Sequence, residues 1–293
     1  MGEPIHIALT FDDGFWAPAY AVMRSACLAS RRRADLVFHL VYKGLSPEHR
    51  QRLGAITDEF GATLRDYPLD SNADFQELSR GFVFRYRFNE MILARLGFDR
   101  ILPPDLRRVI YLDCDVMVHA PIEDLWATDL NGLALGGVED PHRHLVMLGR
   151  EFRGKADLFD FHQPYLNSGV LLIDMARWRA ADLIGRVENF REQGLLTRLY
   201  YDQDIINLVF AGNWLALDWR WNAGNPRQAH EMLEPFILHY SGDRKPWNLV
   251  SGTAFSNLYR HVMTNAVYYD FMKERTRRRL LKPLKRLLGQ TSR

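Results

Sequence analysis

The spacing of apolar residues changes several times along the first third of the chain. Residues 5–10 form a short apolar run that stops at Asp12-Asp13-Gly14, the pattern of a buried strand closed by a turn. Residues 17–30 change to helical spacing, with Ala21, Met23, Ala26 and Cys27 available for one buried face. Residues 36–42, rich in β-branched and aromatic side chains, read as a second strand. A helix over 46–60 follows, with Ser46 as its N-cap, Pro47 at its first position and Gly61 just past its end. Residues 62–67 supply a third strand. This βαβαβ alternation implies a parallel sheet covered by helices on both faces.

Beyond this unit the spacing predicts a helix over 88–96, and Pro103-Pro104 then breaks the chain. Residues 108–112 are a short apolar run bounded by charge, a buried central strand that ends on Asp113-Cys114-Asp115. Further strands are expected at 133–138 and 170–173, a helix with an acidic first turn at 202–210, and a late strand at 236–239. With no repeat and no low-complexity linker, residues 1–255 read as one α/β domain and 256–293 as a helical, basic C-terminal segment.

Composition is that of an ordinary soluble protein, 47% apolar and 25% charged. No stretch approaches the roughly 18 uncharged apolar residues of a membrane span. The N-terminus lacks a basic stretch followed by an apolar core, so no signal peptide is expected. Cys27 and Cys114 cannot make a disulfide framework and fit a reducing cytoplasm. The formal charge of +2 hides an asymmetry. Residues 273–293 carry nine Lys/Arg and one Glu, a net of +8, which leaves −6 for the rest. That argues against nucleic acid as a partner of the body and for an anionic partner at the tail. Leu280, Leu281, Leu284, Leu287 and Leu288 fall at helical spacing among Arg and Lys, which suits an anionic membrane surface, although Pro283 interrupts the pattern. The alternative is a solvated chain end. The expected location is cytoplasmic, peripheral on the inner face of the plasma membrane.

Four groups of residues have the right chemistry for a site. Asp113 and Asp115 close the central strand, where open α/β sheets bind ligands, and two carboxylates there suit one hard cation; solvated acids are the plain alternative. His239 opens the string Tyr240-Ser241-Gly242-Asp243-Arg244-Lys245-Pro246-Trp247. An imidazole can join a metal, Gly242 permits close backbone approach, and Lys245 can meet a phosphate. Asp12 and Phe15, at the end of the first strand, can accept from a base N–H and stack on it, or can be a turn acid and a core aromatic. Lastly, Asn167 in the turn before the 170–173 strand, with Asp202 and Gln203 opening a helix, suit sugar hydroxyls, unless Asp202 is merely an N-cap.

Five strings occur in order: Ala94-Arg95-Leu96, residues 109–116 around Asp113 and Asp115, residues 166–173, residues 202–207, and His239-Tyr240-Ser241-Gly242 with Lys245-Pro246-Trp247. Together they resemble the retaining glycosyltransferases of family eight, the group of bacterial lipopolysaccharide galactosyl- and glucosyltransferases, related to glycogenin. The resemblance implies a GT-A fold, a Rossmann-like mixed sheet flanked by helices, and a UDP-sugar donor. It makes Asp113, Asp115 and His239 ligands of Mn²⁺ or Mg²⁺. Asp12 and Phe15 would sit at the uracil, Gly242 and Lys245 at the diphosphate, and Arg95, Asn167, Asp202 and Gln203 around the donor sugar. Arg87 also precedes the aspartates and competes with Arg95 for its role. Where the family often has a further polar residue this chain has Gly14. The implied reaction moves a galactose or glucose to a glycan acceptor such as lipopolysaccharide or a lipid-linked glycan. Retention needs a covalent intermediate or same-face attack; the catalytic candidates are Gln203, a poor nucleophile, and Asp202 beside it, and same-face attack is the expectation.

Two rival functions share parts of this pattern. Residues 9–14 also look like the opening motif of polysaccharide deacetylases, which pair it with a His-x-x-x-His that no histidine spacing here provides. The other is a degenerate GT-A domain that binds sugar without turnover.

Overall fold

A computed structural model describes residues 2–84, 89–141, 157–160, 162–248 and 252–287, with the backbone alone described at 279 and 282–287. Strand β1 (Ile5–Asp12) is followed by helix α1 (Trp16–Ala29), strand β2 (Leu36–Lys43), helix α2 (Pro47–Phe60) and strand β3 (Thr63–Pro68). α2 begins and ends where its caps place it. The Ser46 hydroxyl accepts from His49 N–H at 3.2 Å, Pro47 opens the helix, and Gly61 closes it in left-handed backbone, φ 72°.

Among the described residues the main sheet has seven strands in the order β3-β2-β1-β4-β7-β6-β8, with β4 Arg108–Leu112, β6 Leu135–Glu139, β7 Leu166–Asp174 and β8 Leu215–Ala216. β1, β2, β3 and β4 run parallel, as the alternation implies. β7 runs antiparallel to both β4 and β6, so the whole sheet is mixed. A smaller sheet joins β5 (Val116–Val118), β10 (Ile237–His239) and β9 (Ala223–Gly224). The central strands read as continuous apolar runs because both faces are covered. Ile7, Leu9, Ile110 and Leu112 pack to one side with α1, and Ala8, Val109 and Tyr111 to the other.

Of the later helices, α3 (Tyr201–Phe210), α4 (Ser256–Met263) and α5 (Asn265–Leu287) bear most on the site. α4 and α5 pack on α1, and Tyr259, Val262, Met263, Val267, Tyr268 and Phe271 belong to its core. α5 continues through Pro283, at the cost of one intrahelical hydrogen bond. Two other expectations change. Glu90–Gly97 is a 3₁₀ helix rather than an α-helix, and Phe88 lies outside the described residues. Asn167-Ser168-Gly169 is not a turn before a strand. It is the start of β7, paired with β6 across an irregularity at Gly137/Val138.

Candidate active site

The chain places its site at the topological switch. β2 and β3 lie on one side of β1, β4 on the other, and the crevice opens beyond the carboxyl ends of β1 and β4. Asp12 ends β1, and Asp113 follows β4. Because β7 is antiparallel, its first residues reach the same end of the sheet, and Asp113 N–H donates to Gly169 C=O at 2.8 Å. β10 brings His239 from the small sheet: it pairs with Val116, and Tyr240 N–H donates to Asp115 C=O at 2.9 Å.

One side-chain atom each from Asp113, Asp115 and His239 lie within 4.8 Å of one another. His239 Nε2 is 3.3 Å from Asp115 Oδ1 and 3.7 Å from Asp113 Oδ2. The opposite ring nitrogen, Nδ1, is 2.8 Å from Asn222 Oδ1. An amide oxygen only accepts, so Nδ1 donates to it, and Nε2 is the nitrogen that faces the aspartates and would give its lone pair to a metal held there. Two carboxylates and one neutral imidazole are a donor set that fits Mn²⁺, and Mg²⁺ less well for its preference for oxygen. Gly169 makes the approach possible. A Cβ there would lie 2.3 Å from His239 Cε1 and 2.9 Å from Asp113 Oδ2.

Charges surround the cluster. Burial raises the Asp115 carboxyl, but Lys245 and His239 outweigh it and hold the group well below the usual carboxylate range. Lys245 Nζ is 2.5 Å from Asp115 Oδ2 and also donates to Tyr240 C=O. Arg95, 3% exposed, donates to Asp113 Oδ1 at 2.8 Å and to Ser168 C=O at 2.7 Å. Its Nε faces Asp202 Oδ2 at 3.2 Å, off hydrogen-bond alignment, and its guanidinium lies 4.1 Å over the Tyr111 ring. Burial pushes the Asp202 carboxyl up to about 6 against the pull of Arg95. Asp202 is not an N-cap. It sits inside the first turn of α3, 1% exposed, behind Tyr201, whose φ of 49° is left-handed backbone costing an aromatic residue ~1–3 kcal/mol.

Asn167 and Gln203 belong to a chain of amides. Asn222 Nδ2 donates to Asn167 Oδ1 at 2.9 Å, and Asn167 Nδ2 donates to Asp140 Oδ2 at 3.1 Å. Gln203 Nε2 donates to the same oxygen at 3.0 Å, while its Oε1 accepts from Ser168 N–H at 3.2 Å. Asn222 and Asp140 had not been picked out. Neither stands in a local motif, and each meets its partners across separate elements of the fold.

On the other flank, Asp12 accepts from Gly14 N–H at 2.8 Å and from Asn89, and half-exposed Phe15 stands edge-on to Trp247. The neighbouring Asp13 is tied to α5. Arg278 donates to its Oδ2 at 2.9 Å, and His49 bridges its Oδ1 to Glu274. Gly242 N–H donates to Asn225 Oδ1 at 2.9 Å. The described structure thus gathers Asp12, Phe15, Arg95, Asp113, Asp115, Asn167, Asp202, Gln203, His239, Gly242 and Lys245 along one crevice; Arg87 lies outside the described residues.

Residues 6–250 match the profile of glycosyl transferase family 8. General stress protein A of Bacillus subtilis is 26% identical over 289 residues, covering 89% of this chain and 94% of the relative. Glycosyltransferase GlyF of Streptococcus pneumoniae is 27% identical over 263 residues, 86% of this chain and 60% of its own. Among solved structures, the galactosyltransferase LgtC in complex with donor and acceptor sugar analogues superimposes with a TM-score of 0.74 at 24% identity, over 88% of this chain and 95% of LgtC. That likeness gives the fold, GT-A.

Proposed function

The chain belongs to glycosyl transferase family 8, and from that premise we propose that it moves a hexose, galactose or glucose, from a UDP-sugar to a surface glycan, lipopolysaccharide or a lipid-linked glycan, with retention. The observation that carries the proposal is the convergence of Asp113, Asp115 and His239 at the switch point, with Arg95 and Lys245 beside them. Asp113, Asp115 and His239 would hold a Mn²⁺ ion, which would supply positive charge to offset the departing diphosphate.

The chain's own residues account for the rest. Asp12 and Phe15 flank the space for the base, and Lys245 meets the diphosphate. Arg95 holds Asp113 in place from beneath and fixes Asp202 behind the sugar. Asn167, Gln203 and Asp140 present amide and carboxylate groups to the sugar hydroxyls. The acceptor oxygen bonds to the anomeric carbon on the face that UDP leaves, and its proton passes to a diphosphate oxygen. Buried pairing with Arg95 favours this over attack by Asp202, and Gln203 is a poor nucleophile. A glycosylated Asp202 peptide trapped by mass spectrometry would overturn same-face attack. The family assignment speaks against the deacetylase reading, and the full ligand triad speaks against a binding-only module.

UDP release from UDP-galactose, UDP-glucose and their relatives, with and without Mn²⁺, tests the whole reading. Tight UDP binding with no release from any donor and acceptor would leave a sugar-binding module instead. We extend the proposal to the tail, whose Leu280 is 72% exposed on α5 beside the basic cluster. The end of the chain then rests on an anionic membrane surface at the cytoplasmic face. A chain ending at Arg278 that still binds anionic liposomes as tightly as the full chain would remove that extension.

A further inference from the structure

The crevice does not stop at Gly242. Beyond it lies a cavity of about 770 Å³, walled by residues 225–228 and 252–258 together with Glu231, Tyr240 and Arg244. This volume falls within the ~300–1,000 Å³ of ligand sites. The cavity shares Asn225 and Gly242 with the space around Gln203, which in turn shares His239, Asn167 and Ser241 with the space at the ligand triad. Three adjacent spaces therefore lie in a row from the base side to this cavity. Neighbouring residues of one loop serve different ends: Lys245 reaches Asp115, while Arg244 lines the cavity.

Arg227 and Arg244 are the cations of this wall, both exposed, and neither guanidinium has an ion pair with a carboxylate among the described residues. Of the two acids, Asp243 has a partner of its own, and Glu231, exposed like the two arginines, forms no ion pair with either among the described residues. An arginine left without a carboxylate presents its planar fork to an oxyanion. Phe255 adds a second sign of a ligand site. It lines the cavity in left-handed backbone, φ 60°, with no side-chain cap for the helix it starts, and such strain concentrates at ligand clamps.

We propose that this cavity is the acceptor subsite and that it takes an oligosaccharide bearing an anionic group, a phosphate or a carboxylate, held by Arg227 and Arg244. This rests on the glycosyl-transfer reading and deepens it, because it names the charge class of the acceptor.

The test uses three oligosaccharides of one length: neutral, with a hexose phosphate, and with a uronic acid. With the full chain and Mn²⁺, acceptor KM is expected to be about tenfold or more lower for an anionic member than for the neutral one, and to rise with salt. Whichever anionic member wins identifies phosphate or carboxylate. The Arg227→Ala/Arg244→Ala double variant should lose that preference while keeping its melting temperature and its KM for the neutral sugar. Arg244→Lys should restore part of it. Calorimetric binding of the same sugars without donor runs alongside. Charge-selective binding abolished by the double variant, with no turnover on any donor, would sink the transfer reading and keep the anionic site. Turnover with equal KM for all three sugars, or a double variant that retains the preference, would sink this proposal alone.

Discussion

Gly169→Ala puts one methyl group where three strands meet. The φ of Gly169 is not in the left-handed region, so alanine brings no backbone strain, and the effect is steric. Its Cβ would stand 2.3 Å from His239 Cε1, 2.8 Å from His239 Nδ1 and 2.9 Å from Asp113 Oδ2, where carbon contacts settle at about 3.5–4.0 Å. The His239 ring must therefore shift by about 1 Å or more. It is 3% exposed and pinned to Asn222, so the shift breaks that hydrogen bond inside the protein. Overpacking costs ~1–3 kcal/mol, and a buried polar group left unpaired costs ~1–3 kcal/mol more. The loss is divided between stability and metal affinity, since a displaced His239 binds poorly. We expect Mn²⁺ affinity to fall about 10–100-fold and the melting temperature to drop by a few degrees, at about 2–4 °C per kcal/mol for a chain near this size. Calorimetric Mn²⁺ titration and a thermal melt read both. Gly137→Ala, whose Cβ meets only Leu171 at 3.4 Å and more distant atoms, is the matched control. A Gly169→Ala protein with wild-type Mn²⁺ affinity and melting temperature would refute the crowding argument and the metal site built on it.

Other consequences are open to direct measurement. Asp115→Ala and His239→Ala should each lower Mn²⁺-dependent UDP release by about a thousandfold, several kcal/mol of lost charge stabilisation, with circular dichroism unchanged. Asn222→Ala, which frees the His239 ring to turn, should weaken Mn²⁺ about 10–100-fold by calorimetry with a smaller effect on UDP-binding. Stability should also fall in mild acid. Burial, with His6 and Arg65 adding to it, lowers the His39 pKa to about 3 from 6.5. Above pH 6.5 the ring is neutral in folded and unfolded chains and contributes nothing. As pH falls below 6.5 only the unfolded chain takes the proton, so stability drops by about 1.4 kcal/mol per pH unit, roughly 2–3 kcal/mol by pH 4.5. Urea titrations from pH 7.5 to 4.5 should show this slope, and His39→Gln should flatten it; equal slopes in both proteins would refute it.

How far the sequence alone reaches depends on whether the deciding interaction is local. The α2 boundaries were legible to the residue because Ser46, Pro47 and Gly61 act within one turn of the helix they delimit. The pair Asp113 and Asp115 stood out because an apolar strand delivers them, and His239 because its string of neighbours is distinctive. The direction of β7 was not legible. Nothing within Leu166–Asp174 says that it lies antiparallel to β4, since pairing direction depends on partners far away in sequence. Asn167, Ser168 and Gly169 read as a turn from their low strand propensity, yet they form the strand that passes beneath the triad, where a larger residue than glycine would clash. Asn222 and Asp140 gave no signal at all. Each matters through a partner far away in sequence, His239 for one and Asn167 and Gln203 for the other.

Helix α5 has a practical consequence for how the protein is cut and fused. A basic tail is commonly trimmed to improve behaviour, and here the charges begin at Lys273. A chain ended there loses Glu274, which binds His49 and the Trp16 indole, and Arg278, which binds Asp13. Those contacts brace the loop that carries Asp12 and Phe15. Arg278 also fills the space beside Gly14, its Nη1 3.2 Å from where a Cβ would be. An early cut would therefore loosen the Asp12 and Phe15 side of the crevice, and a resulting fall in activity would be misread as a missing membrane anchor. Affinity tags and fusion partners belong beyond Arg278, and a deletion series should start from that residue.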